Sequence, residues 1–184
     1  MTVAANHKEI IEACKRNDRQ AQFELYRLYS KAMYNIALRM VKNSQEADDM
    51  LQNSFVDVFT HLHTFKYQSS FGAWMKRIVI NNCINFLRKK RFELTELQEG
   101  YHDRYEEEEE AIDHSTTVEA VKNALYDLPE GYRVIFSLYA LEGYDHGEIA
   151  QILDISESTS KSQYSRAKHK LRRILKTDTY INKK

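Results

Sequence analysis

Trp74, Asn81 and Asn85 fall together on one side of a helical projection, with Arg77 and Arg88 beside them. An aromatic ring, amides and cations on one face suit a nucleic acid. A tryptophan can stack on an unpaired base, which contributes ~1–3 kcal/mol. An asparagine can hydrogen-bond a base edge, and the run Arg88, Lys89, Lys90, Arg91 can hold phosphates. The competing reading of Trp74 is a half-buried core residue. Asn82 projects into the apolar arc and is expected to be a satisfied structural amide, and Cys83 a small core residue.

A second set lies near the other end of the chain. Ser158, Lys161, Ser162, Ser165, Arg166 and His169 face away from an apolar arc of Tyr164, Ala167, Leu171 and Ile174. That face is small, polar and basic, and fits a major groove ~12 Å wide. From Lys161 to Lys176 there are seven Lys or Arg and no acid, so phosphate attraction follows whatever sequence is read. A solvated amphipathic helix is the plainer alternative. A third set, Asp49, Gln52, Asn53 and Val56, forms the outer face of the segment 44–62, with Phe55 and Phe59 at the edge of its apolar arc. An acid and an amide around an outward valine suit a protein partner better than DNA, and an ordinary surface helix competes with that reading.

Covalent chemistry is not expected. No nucleophile–base pair and no phosphate-cradling glycine loop is visible. His61 and His63 would face different ways on a helix, which argues against a metal pair. Cys14 and Cys83 make neither a disulfide framework nor a zinc site. No catalytic residue, metal or cofactor is expected.

The elements that carry these faces are helices. Asp18 can cap a helix through Lys42, with Phe23, Tyr26, Met33, Ile36, Ala37 and Met40 at helical spacing. Ser44 opens the next, with acids in its first turn where the dipole favours them. Ser69 or Ser70 opens a third, to about Lys90. Segments 115–126, 129–141, 145–153 and 156–176 come after it, with Pro129 suited to a first turn. An eighth helix over 6–16 is open. Asp154-Ile155-Ser156 is a turn between two helices, Asp tolerating a left-handed backbone and Ser156 capping the second of the two. With 5 glycines and 1 proline in 184 residues, a β-sandwich of many tight turns is nearly excluded.

The formal net charge is zero, but unevenly spread. Residues 1–91 hold 15 Lys+Arg against 8 Asp+Glu, residues 92–114 hold 1 against 10, and residues 115–184 hold 11 against 9. This predicts an all-α chain of two small helical domains, 1–91 and 115–176, joined by an acidic linker, 92–114, and ending in a disordered tail, 177–184. Such charge asymmetry suits a polyanion partner. The acidic run Glu106–Glu110 repels itself and reads as a solvated spacer, or as a strip that mimics DNA against basic protein. No apolar run approaches the ~18 residues of a membrane span and no apolar leader is visible at the start, so a cytoplasmic protein without membrane insertion is expected.

Taken together, these blocks resemble a bacterial RNA polymerase sigma factor of the sigma-70 family, in its two-domain, extracytoplasmic-function (ECF) form. EADDMLQNSFVDVFTHLHTF resembles the region that grips the polymerase clamp helices, and SFGAWMKRIVINNCINFLRKKR the region that melts and reads the −10 element. LPEGYRVIFSLYALEGYDHGEIAQILDISESTSKSQYSRAKHKL resembles the helix-turn-helix that reads the −35 element. The resemblance implies that Asp49, Gln52 and Phe55, with Val56, bind core RNA polymerase. It implies −10 contacts from Trp74, Arg77, Asn81, Asn85, Arg88 and Lys89, with Asn85 standing where Asp is more usual. The loop Lys66–Ser70 matches the segment that captures a flipped −10 base. On the −35 side, Lys161, Ser162, Arg166 and Lys168 match recognition positions, flanked by Ser158, Thr159, Ser165 and His169. Departures are Asp154 and Ser158 for two frequent glycines, Ser160 for a frequent valine and Gln163 for a frequent arginine. The implied partners are core RNA polymerase (clamp helices and flap), promoter DNA and an anti-sigma factor of the kind common in the family. The alternatives are a stand-alone helix-turn-helix regulator and a helical protein-interaction module. The basic face Lys161–Lys176 counts against the module.

Overall fold

The computed structural model describes residues 3–94 and 118–181, and side chains over 7–90 and 120–176. The linker expected over 92–114 lies almost wholly outside the described residues. The chain divides into two compact units, Met1–Lys90 and Arg91–Lys184. Among the described residues there is no strand, and no helix is long and apolar enough to cross a membrane.

The first unit holds α1 (Val3–Lys15), α2 (Arg19–Val41), α3 (Ser44–His61), a 3-10 turn (Leu62–Thr64) and α4 (Phe71–Leu94). The polar sequence at each break explains the boundaries. The Asp18 carboxylate accepts from Gln20 N at 2.8 Å and Ala21 N at 3.0 Å, satisfying two of the unpaired N–H groups of α2. Lys42, at φ 62°, ends α2 in the left-handed region. The next residue, Asn43, is extended and caps α3 through Glu46 N at 3.0 Å. Ser44, expected in that role, is already inside the helix. Ser70 caps α4 through Ala73 N.

The core of this unit lies between the four helices. Leu25, Met40, Val58, Leu62, Met75, Val79, Ile80 and Cys83 are almost fully excluded from water. Each large apolar side chain so placed contributes about 1.5–3 kcal/mol. The buried stripe of α2 begins at Ala21 and Leu25, beside the Phe23 and Tyr26 that the spacing suggests. Phe23 is 65% exposed and Tyr26 38%. Helix α4 is buried on two sides, because Ile80, Ile84 and Leu87 are shielded along with Phe71, Met75, Val79 and Cys83. Asn82 is satisfied as expected: its amide donates to Asp57 Oδ2 at 2.8 Å and Ser54 Oγ at 3.2 Å, tying α4 to α3.

The second unit holds α5 (Val118–Tyr126), α6 (Glu130–Phe136) continued by a π-helical turn (Ser137–Leu141), α7 (His146–Leu153) and α8 (Glu157–Ile181). Ala124, Leu125 and Leu128 pack on Leu171 and Leu175. Pro129 precedes α6 as its cap rather than lying within its first turn. Arg133 is buried and donates to the Leu128 carbonyl at 3.0 Å, closing the corner between α5 and α6. Asp145 and Glu148 form a reciprocal capping box on α7. The turn behaves as expected. Asp154 adopts φ 57°, ψ 51°, and Ile155 N bonds back to Ala150 O at 3.0 Å. Ser156 caps α8 through Thr159 N at 3.0 Å. The helix runs to Ile181, so five residues assigned to a disordered tail are helical.

Candidate nucleic-acid and protein interfaces

Helix α3 buries Ala47, Met50, Leu51 and Val58, which leaves its opposite side to solvent. Asp49, Gln52 and Val56 all lie there, Val56 64% exposed. Phe55 does not. It is 4% exposed, its ring 4.6 Å from that of Tyr26 and 5.9 Å from that of Phe59. Its ring lies beneath the exposed face and packs α3 against Tyr26 of α2. The exposure of Phe23 and Tyr26 on α2 is not foreseen, because helical spacing alone does not say which of two adjacent stripes is buried.

On α4, Arg77, Asn81, Asn85, Arg88 and Lys89 are exposed, and Trp74 is half-buried. The steps 74, 77, 81, 85, 88 are of three or four residues, which keeps them on one stripe. Trp74 is half-buried, as the core reading expects. One side rests on Phe65 and Phe71, at ring separations of 5.3 and 5.7 Å, while the remainder reaches the surface. Aromatic backing restricts the ring's rotamers, so little side-chain freedom remains to be lost. Lys90 leaves this stripe, pairing with Glu46 and lying over the Phe86 ring.

The loop before α4 runs past Phe65 to Ser70. Lys66, Tyr67, Gln68, Ser69 and Ser70 are exposed, and Tyr67 sits at φ 60°. Its hydroxyl donates to Glu12 Oε1 at 2.6 Å. That bond holds the Glu12 carboxyl below its usual range, and burial together with Glu12 pushes the Tyr67 phenol up to about 12. Cys83 and Cys14 are buried thiols whose pKa values burial raises, to about 12 and about 11.

Helix α8 presents Ser158, Thr159, Lys161 and Ser162 exposed, and Ser165, Arg166, Lys168 and His169 half-buried. The first turn is knit together before any partner arrives. Ser156 Oγ lies 2.8 Å from Ser158 Oγ and 2.7 Å from Thr159 Oγ1, and Ser162 Oγ donates to Thr159 O. Lys161 pairs with Glu157 at 2.7 Å, which raises its pKa. Glu157 therefore competes with any phosphate for that ammonium, a contact that the one-sided reading of the helix face does not include. Lys168 lies 5.2 Å above the Tyr164 ring, at the border of the polar face. Behind the face, Tyr164 belongs to an aromatic group with Phe136, Tyr139 and His146. His146 Nδ1 is 2.9 Å from the buried Ser160 hydroxyl. Among the described residues, no group of three or more His, Cys, Asp and Glu is arranged to hold a metal ion.

Residues 25–93 match the family model of Sigma-70 region 2, and residues 117–171 that of Sigma-70 region 4. The ECF RNA polymerase sigma factor SigM of Mycobacterium tuberculosis is 30% identical over 173 residues, which span 92% of this chain and 85% of that protein. SigM of Bacillus subtilis is 27% identical over 152 residues, 82% of this chain and 93% of its own. The sigma factor RpoE of Bartonella quintana, solved in complex with the anti-sigma factor NepR, superposes with a TM-score of 0.56 at 24% identity, covering 84% of this chain and 96% of that one.

Proposed function

Because the chain belongs to the sigma-70 family, as an ECF-type sigma factor serving promoter-specific initiation of transcription by RNA polymerase, we propose that its two units divide that work between the faces described above. Asp49, Gln52 and Val56 dock on the clamp helices of core RNA polymerase, with Phe55 holding α3 in place from beneath. Trp74, Arg77, Asn81, Asn85, Arg88 and Lys89 meet the −10 element. The Lys66–Ser70 loop receives a base turned out of the stack. Unstacking costs a few kcal/mol, offset by base capture and by polymerase contacts.

The second unit lies in the −35 major groove through Ser158, Thr159, Lys161, Ser162, Ser165, Arg166, Lys168 and His169. The flap of the polymerase is its second docking point. The acidic segment 92–114 leads towards the basic channels of the enzyme, where its charge is complementary. The chain works by binding, in the cytoplasm, with no covalent step of its own. An anti-sigma factor is a further proposed partner, as RpoE of Bartonella quintana has in NepR.

The observation that carries this reading is the α4 stripe: a tryptophan backed by Phe65 and Phe71, in line with exposed amides and arginines. A repressor needs no such stripe beside its helix-turn-helix. Electrophoretic mobility shift of promoter fragments, with and without sigma-free core polymerase of the host, tests it. Weak binding alone and tight binding with polymerase is the expected result. Tight, polymerase-independent binding would identify a stand-alone regulator.

A further inference from the structure

We propose that Glu12 and Lys15, on the first helix, are positioning residues for promoter opening. They fix Tyr67, and through it the Lys66–Ser70 loop, in the shape that accepts an unpaired base. The proposal rests on the reading of that loop given above and adds the residues that set its shape.

The loop is conformationally costly. Tyr67 is a bulky residue at φ 60°, where side chains other than glycine are disfavoured. A strained residue persists only where its surroundings over-determine it. Here the determinants come from α1, more than fifty residues earlier. The Tyr67 hydroxyl donates to Glu12 Oε1 at 2.6 Å. Lys15 Nζ lies 3.0 Å from the same oxygen, 3.3 Å from the Phe65 carbonyl and 4.9 Å from the Tyr67 ring centroid. Lys8 Nζ adds a second cation, 5.6 Å from that ring. A hydrogen bond to an ionised acceptor is shorter and stronger than a neutral one.

The anchored ring then connects onward. Tyr67 packs on Phe65 at 4.7 Å, and Phe65 on Trp74 at 5.3 Å. A continuous chain of contacts therefore runs from α1, through the loop, to the half-buried tryptophan of the stripe. Gln68 and Ser69 remain exposed at the tip, beyond the anchor. The loop is thus fixed before DNA arrives, which lowers the ordering cost of binding.

The test uses the full chain assembled with host core polymerase. The probe is a fluorescent non-template-strand oligonucleotide spanning the −10 element of a promoter mapped by run-off transcription. Tyr67→Phe removes one oxygen and leaves the ring. Glu12→Ala removes the acceptor, and Glu12→Gln retains one. We expect Tyr67→Phe and Glu12→Ala each to weaken strand binding roughly three- to tenfold, as loss of one solvent-exposed hydrogen bond does. The double variant should be no worse than the poorer single variant, because both break the same bond. Glu12→Gln, which keeps a neutral acceptor, should recover part of the affinity, and binding to core polymerase should not change. Full retention of strand binding by Tyr67→Phe, or multiplied losses in the double variant, would overturn the proposal. Gln68→Ala with Ser69→Ala separates the two levels of argument. If that pair weakens strand binding and Tyr67→Phe does not, the anchor alone fails. If neither does, the base-receiving role of the loop fails with it. Should Glu12→Ala unfold the first helix, Tyr67→Phe still decides.

Discussion

The Ser160 hydroxyl lies 2.9 Å from His146 Nδ1, fully shielded from water, and joins the start of α7 to the first turn of α8. The resemblance sets a valine at position 160, and by that measure a serine there is a small reduction in apolar packing. The structure shows an exchange instead: dispersion is given up for a hydrogen bond between the two helices of the helix-turn-helix. His146 is held from its other side by the Tyr139 ring, stacked at 4.4 Å.

Ser160→Ala should therefore destabilise the second unit by about 1 kcal/mol, the usual net value of one intramolecular hydrogen bond. Thermal unfolding measured by circular dichroism checks this. Ser160→Val should not restore the stability, since it too leaves His146 without this partner.

At Asp154 the prediction runs the other way. This residue occupies the left-handed region at φ 57° without glycine's freedom. Asp154→Gly should stabilise the turn by up to about 1 kcal/mol, and Asp154→Val should destabilise it by more. In a unit of this size each kcal/mol shifts the midpoint by about 4–8 °C.

Much of this turn is legible in the sequence, because caps and left-handed positions depend on a few adjacent residues. Asp18, Ser156 and Asp154 behave as their local chemistry requires. Choices made by packing are less legible. Phe23 and Tyr26 have core-like identities and helical spacing, yet the neighbouring Ala21 and Leu25 are buried instead. Which stripe is used depends on where α3 and α1 lie. Phe55 falls at the edge of an arc, and only its contact with Tyr26 decides that it points inward. The Glu12–Tyr67 bond joins residues 55 apart, and no local pattern announces it.

The burial of Phe55 separates two variants that a motif alone would group together. Phe55→Ala should cost about 3–5 kcal/mol of stability, as large-to-small changes in a core do. Asp49→Ala with Gln52→Ala should leave the unfolding midpoint unchanged and weaken polymerase binding. Denaturation and a polymerase binding titration, run on both variants, check this. Unchanged polymerase affinity in the Asp49/Gln52 variant would remove the proposed clamp site.

The thiols give a prediction in pH. Burial raises Cys83 to about 12 and Cys14 to about 11, whereas an unfolded thiol ionises near ~8.5. Both groups stay neutral in the folded chain, so their contribution to stability is complete below the unfolded value. It declines as pH rises above that value, because only the unfolded state then releases protons. Stability should fall above about pH 9, and a thiol reagent at neutral pH should label neither cysteine until denaturant is added.

On α8, Lys161→Ala with Arg166→Ala should weaken promoter binding by the holoenzyme across sequences. The slope of log affinity against log salt should fall by about one for each phosphate no longer neutralised. An unchanged slope would place the phosphate contacts elsewhere. Glu157→Gln should raise affinity modestly, since it releases the Lys161 ammonium from its 2.7 Å pairing.

The central claim is that this chain gives RNA polymerase its promoter. The most direct measurement mixes the purified chain with sigma-free core polymerase from its own host and reads run-off transcription from a library of genomic promoter fragments. Discrete start sites that appear only when the chain is present, sharing sequences near −35 and −10, are the predicted result. DNA binding with no polymerase association and no transcription would contradict it.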